Sequence, residues 1–278
     1  MAAVVPPNFE RPIGVFDSGV GGLTVLKALR AALPGEDFIY LGDTARVPYG
    51  RKPPEMVRAF SAQIGSFLVD EGVKALVVAC NTASSVALGT LAALPIPVWG
   101  VLEPGVSAAR AASRGGIIGV VGTRATVNSG AYQSRLASSG LQVWARACPM
   151  FVPLVEEGLS DSDEARLMAE YYLRDRPPLD ALILGCTHYP VLSRVLSEVL
   201  GPDVPLVDSA QATAGVVEKG LKTYGLLNRR PHEGTVVHYV TGDPASYRHT
   251  AGVIGGVEGE TRFLHVDRLS ERTDHARP

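Results

Sequence analysis

Along the chain, short apolar runs alternate with longer stretches in which apolar residues recur every three or four positions. The runs include Ile13-Gly14-Val15-Phe16, Phe38 to Leu41, Ala75-Leu76-Val77-Val78-Ala79, Ile96 to Val101, Ile118-Gly119-Val120-Val121, Leu141 to Ala147, Ala181-Leu182-Ile183-Leu184, Thr235 to Thr241 and Arg262 to Val266. They are short, and the most continuous of them read as strands of a parallel sheet buried on both faces. Helices are predicted between them. Leu23 to Leu33 is apolar at Leu23, Leu26, Leu29 and Leu33, and Pro53-Pro54 opens a helix to Glu71 with Gly72 as its stop. Asp163 to Arg174 and Gln211 to Thr223 complete the helical set named here, and the polar tail from Ser270 is expected to fray. Strand and helix alternating in this way predict an α/β fold built of doubly wound parallel sheets.

The pattern restarts once. Ile118-Gly119-Val120-Val121-Gly122-Thr123 echoes Ile13-Gly14-Val15-Phe16-Asp17-Ser18 at an offset of 105 residues, and Cys186 follows Cys80 at an offset of 106. A near-constant offset across two motifs argues for an internal repeat of a whole α/β half. Glu103-Pro104-Gly105 stands between the halves and is expected to mark the boundary.

Composition narrows the class. With 278 residues, 46% hydrophobic and 19% charged, the chain suits one or two globular domains. A formal net charge of −2 gives no electrostatic case for nucleic acid or an anionic membrane. No apolar run approaches a membrane span, and Met1 to Pro12 lacks the regions of a signal peptide, so a cytoplasmic location is expected. Three cysteines do not make a disulfide framework in a chain of this size.

Two of them carry the candidate chemistry. Cys80 and Cys186 each end an apolar strand and are followed at once by polar residues, Asn81-Thr82 and Thr187-His188. A ligand of an open α/β sheet binds there, outside the carboxyl ends of the strands, and a thiol at a helix start has its thiolate stabilised. One such cysteine is readily explained as a small buried hydrophobe; two placed alike are harder to explain that way. Cys148 lacks this setting and reads as structural. The loop Asp17-Ser18-Gly19-Val20-Gly21-Gly22 fits neither a dinucleotide fingerprint nor a P-loop; it is either an anion-holding helix start or a plain tight turn. No Cys-x-x-Cys or phosphatase-type Cys-x5-Arg is present. A cysteine hydrolase pairing one thiol with His188 leaves the other thiol unexplained. Two thiols facing each other across a ligand use both: one takes a proton from carbon while the other delivers one to the opposite face. Ser18, Asn81, Thr82 and Thr187 are suitable hydrogen-bond donors, and Asp17 and His188 can serve a thiol or a substrate amine.

At these residues the chain resembles the glutamate racemases of the bacterial cell wall, in the aspartate/glutamate racemase superfamily. The resemblance spans nearly the whole chain and rests on Gly14 through Thr24, Asp43 through Gly50, Cys80-Asn81-Thr82-Ala83, Phe151 through Gly158 and Gly185 through Pro190. It implies cofactor-independent interconversion of L- and D-glutamate, with no metal, supplying D-glutamate for peptidoglycan, cell-wall biogenesis and cell shape. It implies Cys80 as the acid/base acting on D-glutamate and Cys186 as the one acting on L-glutamate, assisted by Asp17, Glu156 and His188. His188 is expected to serve Cys186, and Asp17 or Glu156 to serve Cys80. Substrate contacts implied are Asp17, Ser18, Tyr49, Gly50, Asn81, Thr82, Thr187 and His188. The implied architecture is two similar domains facing each other across a cleft: residues 1–104 with a returning segment 214–278, and residues 105–213. Glutamate is the expected partner, with no nucleic acid or membrane, in a homodimer or monomer–dimer equilibrium. The extended activator-binding segment of some enterobacterial members is expected to be absent, because little precedes Ile13. A racemase of aspartate or another acidic amino acid is the near alternative. A carboxylate-binding protein without turnover is the distant one, and it has no use for two opposed thiols.

Overall fold

The structure is a computed structural model describing residues 9–270, so the expected frayed tail lies, past Ser270, outside the described residues. Ten strands form among the described residues: β1 Ile13–Asp17, β2 Phe38–Gly42, β3 Ala75–Val78, β4 Val98–Gly100, β5 Ile117–Gly122, β6 Gln142–Ala147, β7 Ala181–Gly185, β8 Leu206–Val207, β9 Val236–Val240 and β10 Glu260–Phe263. One sheet has the order β10-β9-β2-β1-β3-β4 and the other β6-β5-β7-β8, and every pairing is parallel. The repeat is visible in the topology, since β2-β1-β3-β4 and β6-β5-β7-β8 are the same arrangement. No helix among the described residues is long and apolar enough to cross a membrane.

The unbroken apolar runs have a direct reason. Successive side chains of a strand point to opposite faces, and both faces of the central strands are covered. On one face of the first sheet, Ile13, Val15, Tyr40, Ala75 and Val77 join a hydrophobic core that continues through Ile118, Val120, Leu182 and Ile183 of the second. On the other face, Phe16, Leu41, Leu76 and Val78 pack with Ile64, Phe67 and Leu68 of the helix Pro54–Asp70. One core thus runs from one sheet to the other.

Three expectations shift. Glu103-Pro104-Gly105 does not interrupt the secondary structure: it lies in the first turn of the helix Leu102–Ala112. Proline is tolerated in a first turn because no intrahelical bond to its missing N–H is required there. The other expected division, after residue 213, falls inside the helix Ser209–Thr223, which packs against both Leu102–Ala112 and Leu23–Ala32. The last strand ends at Phe263, short of Val266, because its ladder with β9 stops at the pair Phe263↔Val240.

The returning segment is fixed by charge as well as by the β2–β9 ladder. Lys74 and Glu36, each with 1% of its side chain exposed, form a buried ion pair. Glu36 Oε1 also accepts the backbone N–H of Asn228 at 2.8 Å, and Asp37 Oδ1 accepts that of Thr235 at 2.6 Å. Burial pulls the Lys74 ammonium below its usual range, opposed by its hydrogen bond to Glu36. Removing one partner of such a pair leaves the other charge buried and unpaired. Lys74→Met is therefore expected to lower the unfolding free energy by roughly 3–5 kcal/mol. Urea titration against wild type checks it, and a loss under about 1 kcal/mol would put the pair in the class of surface bridges.

Candidate active site

The carboxyl ends of the central strands of both sheets meet at one cleft of about 270 Å³. From the first half it is lined by Ser18, which follows β1, by Tyr49 and Gly50 in the loop after β2, and by Cys80, Asn81 and Thr82 after β3. From the second half come Glu156, on the helix Phe151–Glu156, and Cys186, Thr187 and His188 after β7. Asp17 does not line the cleft; it is wholly buried beneath it. Of the site residues expected from the sequence, all but Asp17 line this cleft.

The two sulfurs differ in what surrounds them. Cys80 caps the short helix Asn81–Val86, and its Sγ accepts the backbone N–H of Ala83 at 3.4 Å. The same thiol donates to Ser18 Oγ at 3.6 Å. Burial, and then the nearby Asp17 charge, push Cys80 up to about 12 against those two hydrogen bonds. Cys80 is therefore held as a thiol.

Cys186 starts no α-helix. A 3₁₀ turn, Tyr189–Leu192, begins three residues on, and the Tyr189 N–H is used by the Cys186 carbonyl at 3.1 Å. In place of a backbone donor, Cys186 Sγ has His188 Nδ1 at 3.8 Å, and His188 Nε2 meets Glu156 Oε1 at 3.0 Å. Burial works against the His188 imidazolium, but its bonds to Cys186 and Glu156, and their charges, outweigh it and raise His188 to about 10. This corrects the expected place of Glu156. It stands in the Cys186 half, because its helix follows β6 of the second sheet and carries the carboxylate to His188.

Asp17 bridges the halves. Its carboxylate accepts the N–H of Gly19 at 2.9 Å and that of Gly22, and Thr187 of the other half donates to it at 3.4 Å. Burial raises its pKa, and the His188 charge together with these bonds opposes the rise. The N–H groups of the glycine-rich loop are thus turned onto its own Asp17 carboxyl. The glycines have a second use. A Cβ on Gly21 would stand 2.3 Å from Thr187 Oγ1 and 2.4 Å from His188 Nδ1, and one on Gly50 would stand 2.6 Å from Thr123 Cβ. Side chains at either position would push the halves apart.

The donors are held in place by neighbours. Asn81 Oδ1 accepts the Tyr132 hydroxyl at 2.6 Å, which leaves its amide nitrogen for the cleft. Thr82 Oγ1 lies 2.9 Å from Thr123 Oγ1 and 3.2 Å from Thr126 Oγ1, across the two halves. Tyr49 donates to Asp43, which is also clamped by Arg46 and Thr241. Cys148 is buried away from the cleft lining, its thiol directed at the Arg146 carbonyl. Sequence reasoning missed Thr123, Arg124, Arg51, Val152 and Pro153, which also line the cleft. A signal for Thr123 was present: the 105-residue offset carries Ser18 onto it. Among the described residues, no group of three or more His, Cys, Asp or Glu is arranged to hold a metal ion.

Comparison with known proteins follows this geometry. The model of the Asp/Glu/Hydantoin racemase family matches residues 13–217. A glutamate racemase of Thermus thermophilus is 57% identical over 262 residues, 94% of this chain and 98% of that one. The crystal structure of Thermus thermophilus glutamate racemase in complex with beta-chloro-D-alanine gives a TM-score of 0.87 at 54% identity, covering 94% of this chain and 99% of that chain. The structure of the Francisella tularensis glutamate racemase in complex with D-glutamate gives 0.86 at 36% identity, with the same coverage of 94% and 99%. With three quarters of its length matched by the family model and such identity to curated members, this chain belongs to the Asp/Glu/hydantoin racemase family.

Proposed function

We propose that this chain is an isomerase that interconverts L- and D-glutamate by proton transfer between Cα and two cysteines. The observation that carries the reading is the pair of sulfurs, Cys80 and Cys186, lining one cleft from two different sheets. The names of the 57%-identical relatives supply the substrate. In the L-to-D direction Cys186 is the base. The His188 imidazolium beside it stabilises negative charge on that sulfur, and Glu156 stabilises the imidazolium. The thiolate takes the Cα proton, and Cys80, held as a thiol, delivers its proton to the opposite face. One C–H bond breaks and one forms, Cys186 ends as thiol and Cys80 as thiolate, and exchange with water resets them. In the D-to-L direction Cys80 must first lose its proton. The substrate ammonium favours that thiolate, and so does a proton on Asp17, since the Asp17 charge is one cause of the high Cys80 pKa. Ser18, Asn81, Thr82 and Thr187 hold the carboxylates, and the buried setting strengthens each such bond. No step uses a resident cofactor. The chain serves peptidoglycan synthesis as a source of D-glutamate, in the cytoplasm, where its three buried free cysteines stay reduced. It acts as a homodimer or in monomer–dimer equilibrium, with its two functional halves divided near the helices Leu102–Ala112 and Ser209–Thr223.

Incubation with glutamate in D₂O is expected to place deuterium at Cα as the enantiomer forms. Cys80→Ser and Cys186→Ser are each expected to lower kcat by at least about 10³-fold, as loss of a group acting as acid or base does. A Cys80→Ser protein near wild-type rate would remove Cys80 from the mechanism, and wild-type turnover of aspartate alone would reassign the substrate.

A separate prediction concerns His188. His188→Asn is expected to lower kcat for L-glutamate more than for D-glutamate, with KM compensating because the equilibrium constant is fixed. Equal losses of kcat would reduce His188 to a structural role. Its folded-state pKa, raised from 6.5 to about 10, also sets a stability window. The stabilisation is complete below pH 6.5 and is lost as pH rises through about 10. Urea midpoints measured across that window are expected to fall more steeply for wild type than for His188→Asn.

A further inference from the structure

The cleft is asymmetric in charge. Its interior recognises carboxylates with neutral hydroxyls, an amide and backbone groups, and its one interior cation, His188, is committed to Cys186 and Glu156. Glu156 is the only carboxylate in the lining. Two further charges line the same cavity at its solvent side. Arg51 ends the 3₁₀ turn Tyr49–Arg51 of the first half, and Arg124 opens the helix Arg124–Asn128 of the second; both are exposed. Each stands one residue beyond Gly50 or Thr123, which face each other across the halves so tightly that a Cβ on Gly50 would stand 2.6 Å from Thr123 Cβ. Among the described residues neither guanidinium has an ion pair or a carboxylate hydrogen bond. Arg46, in the same loop as Arg51, shows the opposite case: Asp43 and Gln63 hold it, and it stacks 4.1 Å over Phe60.

Resting on the glutamate reading above, we propose that Arg51 and Arg124 form a divided cationic rim that captures the dicarboxylate substrate at the mouth of the cleft. Glutamate carries two carboxylates and one ammonium, so both enantiomers are attracted alike. A cleft whose mouth carries one sign of charge and whose walls exclude water focuses the field and raises the local concentration of an oppositely charged ligand. The rim acts before chemistry, on capture and binding. Its contribution is in charge rather than in a two-pronged hydrogen bond, because the pair is exposed at the solvent edge, where no carboxylate holds either guanidinium among the described residues.

The test measures racemisation of both enantiomers by wild type, Arg51→Ser, Arg124→Ser, the double variant, and the corresponding lysine variants. It is run at low and at high ionic strength, where the Debye length falls from about 30 Å to about 3 Å. Arg110→Ser on the helix Leu102–Ala112, outside the cleft lining, is the control for overall charge. Each serine variant is expected to raise KM about two- to fivefold at low salt and the double variant about tenfold. In each, kcat is expected to stay within about twofold of wild type, as for loss of uniform binding. The difference should vanish at high salt, and lysine at both positions should restore wild-type KM. A double variant with wild-type KM at low salt overturns the rim. So does a KM increase that is the same at both salts, or lysine variants as impaired as the serine ones. Calorimetric titration with glutarate, a dicarboxylate that cannot be racemised, repeats the comparison without turnover. Absence of turnover by wild type would sink the glutamate reading, and the glutarate titration would still decide the rim.

Discussion

A carboxylate taken wholly out of water must find hydrogen bonds and opposite charge, and Asp17 finds them in both halves of the chain. Gly19 and Gly22 supply N–H groups from its own loop, while Thr187 and the His188 charge reach it from the other sheet. An unmatched ionised carboxylate at that depth would cost several kcal/mol. The relation between the sheets is therefore set at the same place as the chemistry. Gly21 makes this possible: any Cβ there would collide with Thr187 and His188 before they could approach Asp17. The shared hydrophobic core supplies the bulk of the adhesion between the halves, and the buried carboxylate decides how the two strand ends face each other.

The repeated topology does not produce equivalent sulfurs. In the first half a helix begins at the strand end, so the residue three positions on points its N–H at Cys80 Sγ. In the second half the corresponding N–H closes a turn onto the Cys186 carbonyl, and a charged side chain takes over the work of stabilising the sulfur. A neutral N–H leaves burial in command at Cys80 and its pKa stays high, whereas an imidazolium tied to Glu156 stands beside Cys186. The two sulfurs thus meet the cleft from different settings, one under a backbone N–H and the other beside a charged side chain.

Much of this was legible beforehand because it depends on local rules. Unbroken apolar runs became strands because both faces of each central strand are covered, and the strand ends carried the polar residues to the cleft. What failed had physical causes. Pro104 and Gly105 read as punctuation, yet a proline in a first helical turn interrupts nothing. Glu156 was named beside Asp17 as a partner for Cys80, yet its carboxylate meets His188, because chain position does not say which neighbour a side chain reaches once a helix is packed. Thr123 was overlooked although the repeat offset pointed to it from Ser18. Arg51 and Arg124 gave no signal, since two arginines in loops acquire a shared meaning only when the sheets are brought together.

The position of β9 at the open side of β2 has a consequence for how the molecule is made. The paired residues Phe38 and Val236 are 198 positions apart, whereas all strands of the second sheet lie within residues 117–207. Chains emerge from the ribosome amino end first, and elements fold as they become complete. The β2 edge, with its unpaired N–H and C=O groups, must wait for nearly the whole chain to appear, and so must Glu36, whose partner Asn228 arrives with the same segment. The nascent molecule thus finishes the sheet that carries Cys186 while the sheet that carries Cys80, although translated earlier, still lacks an edge.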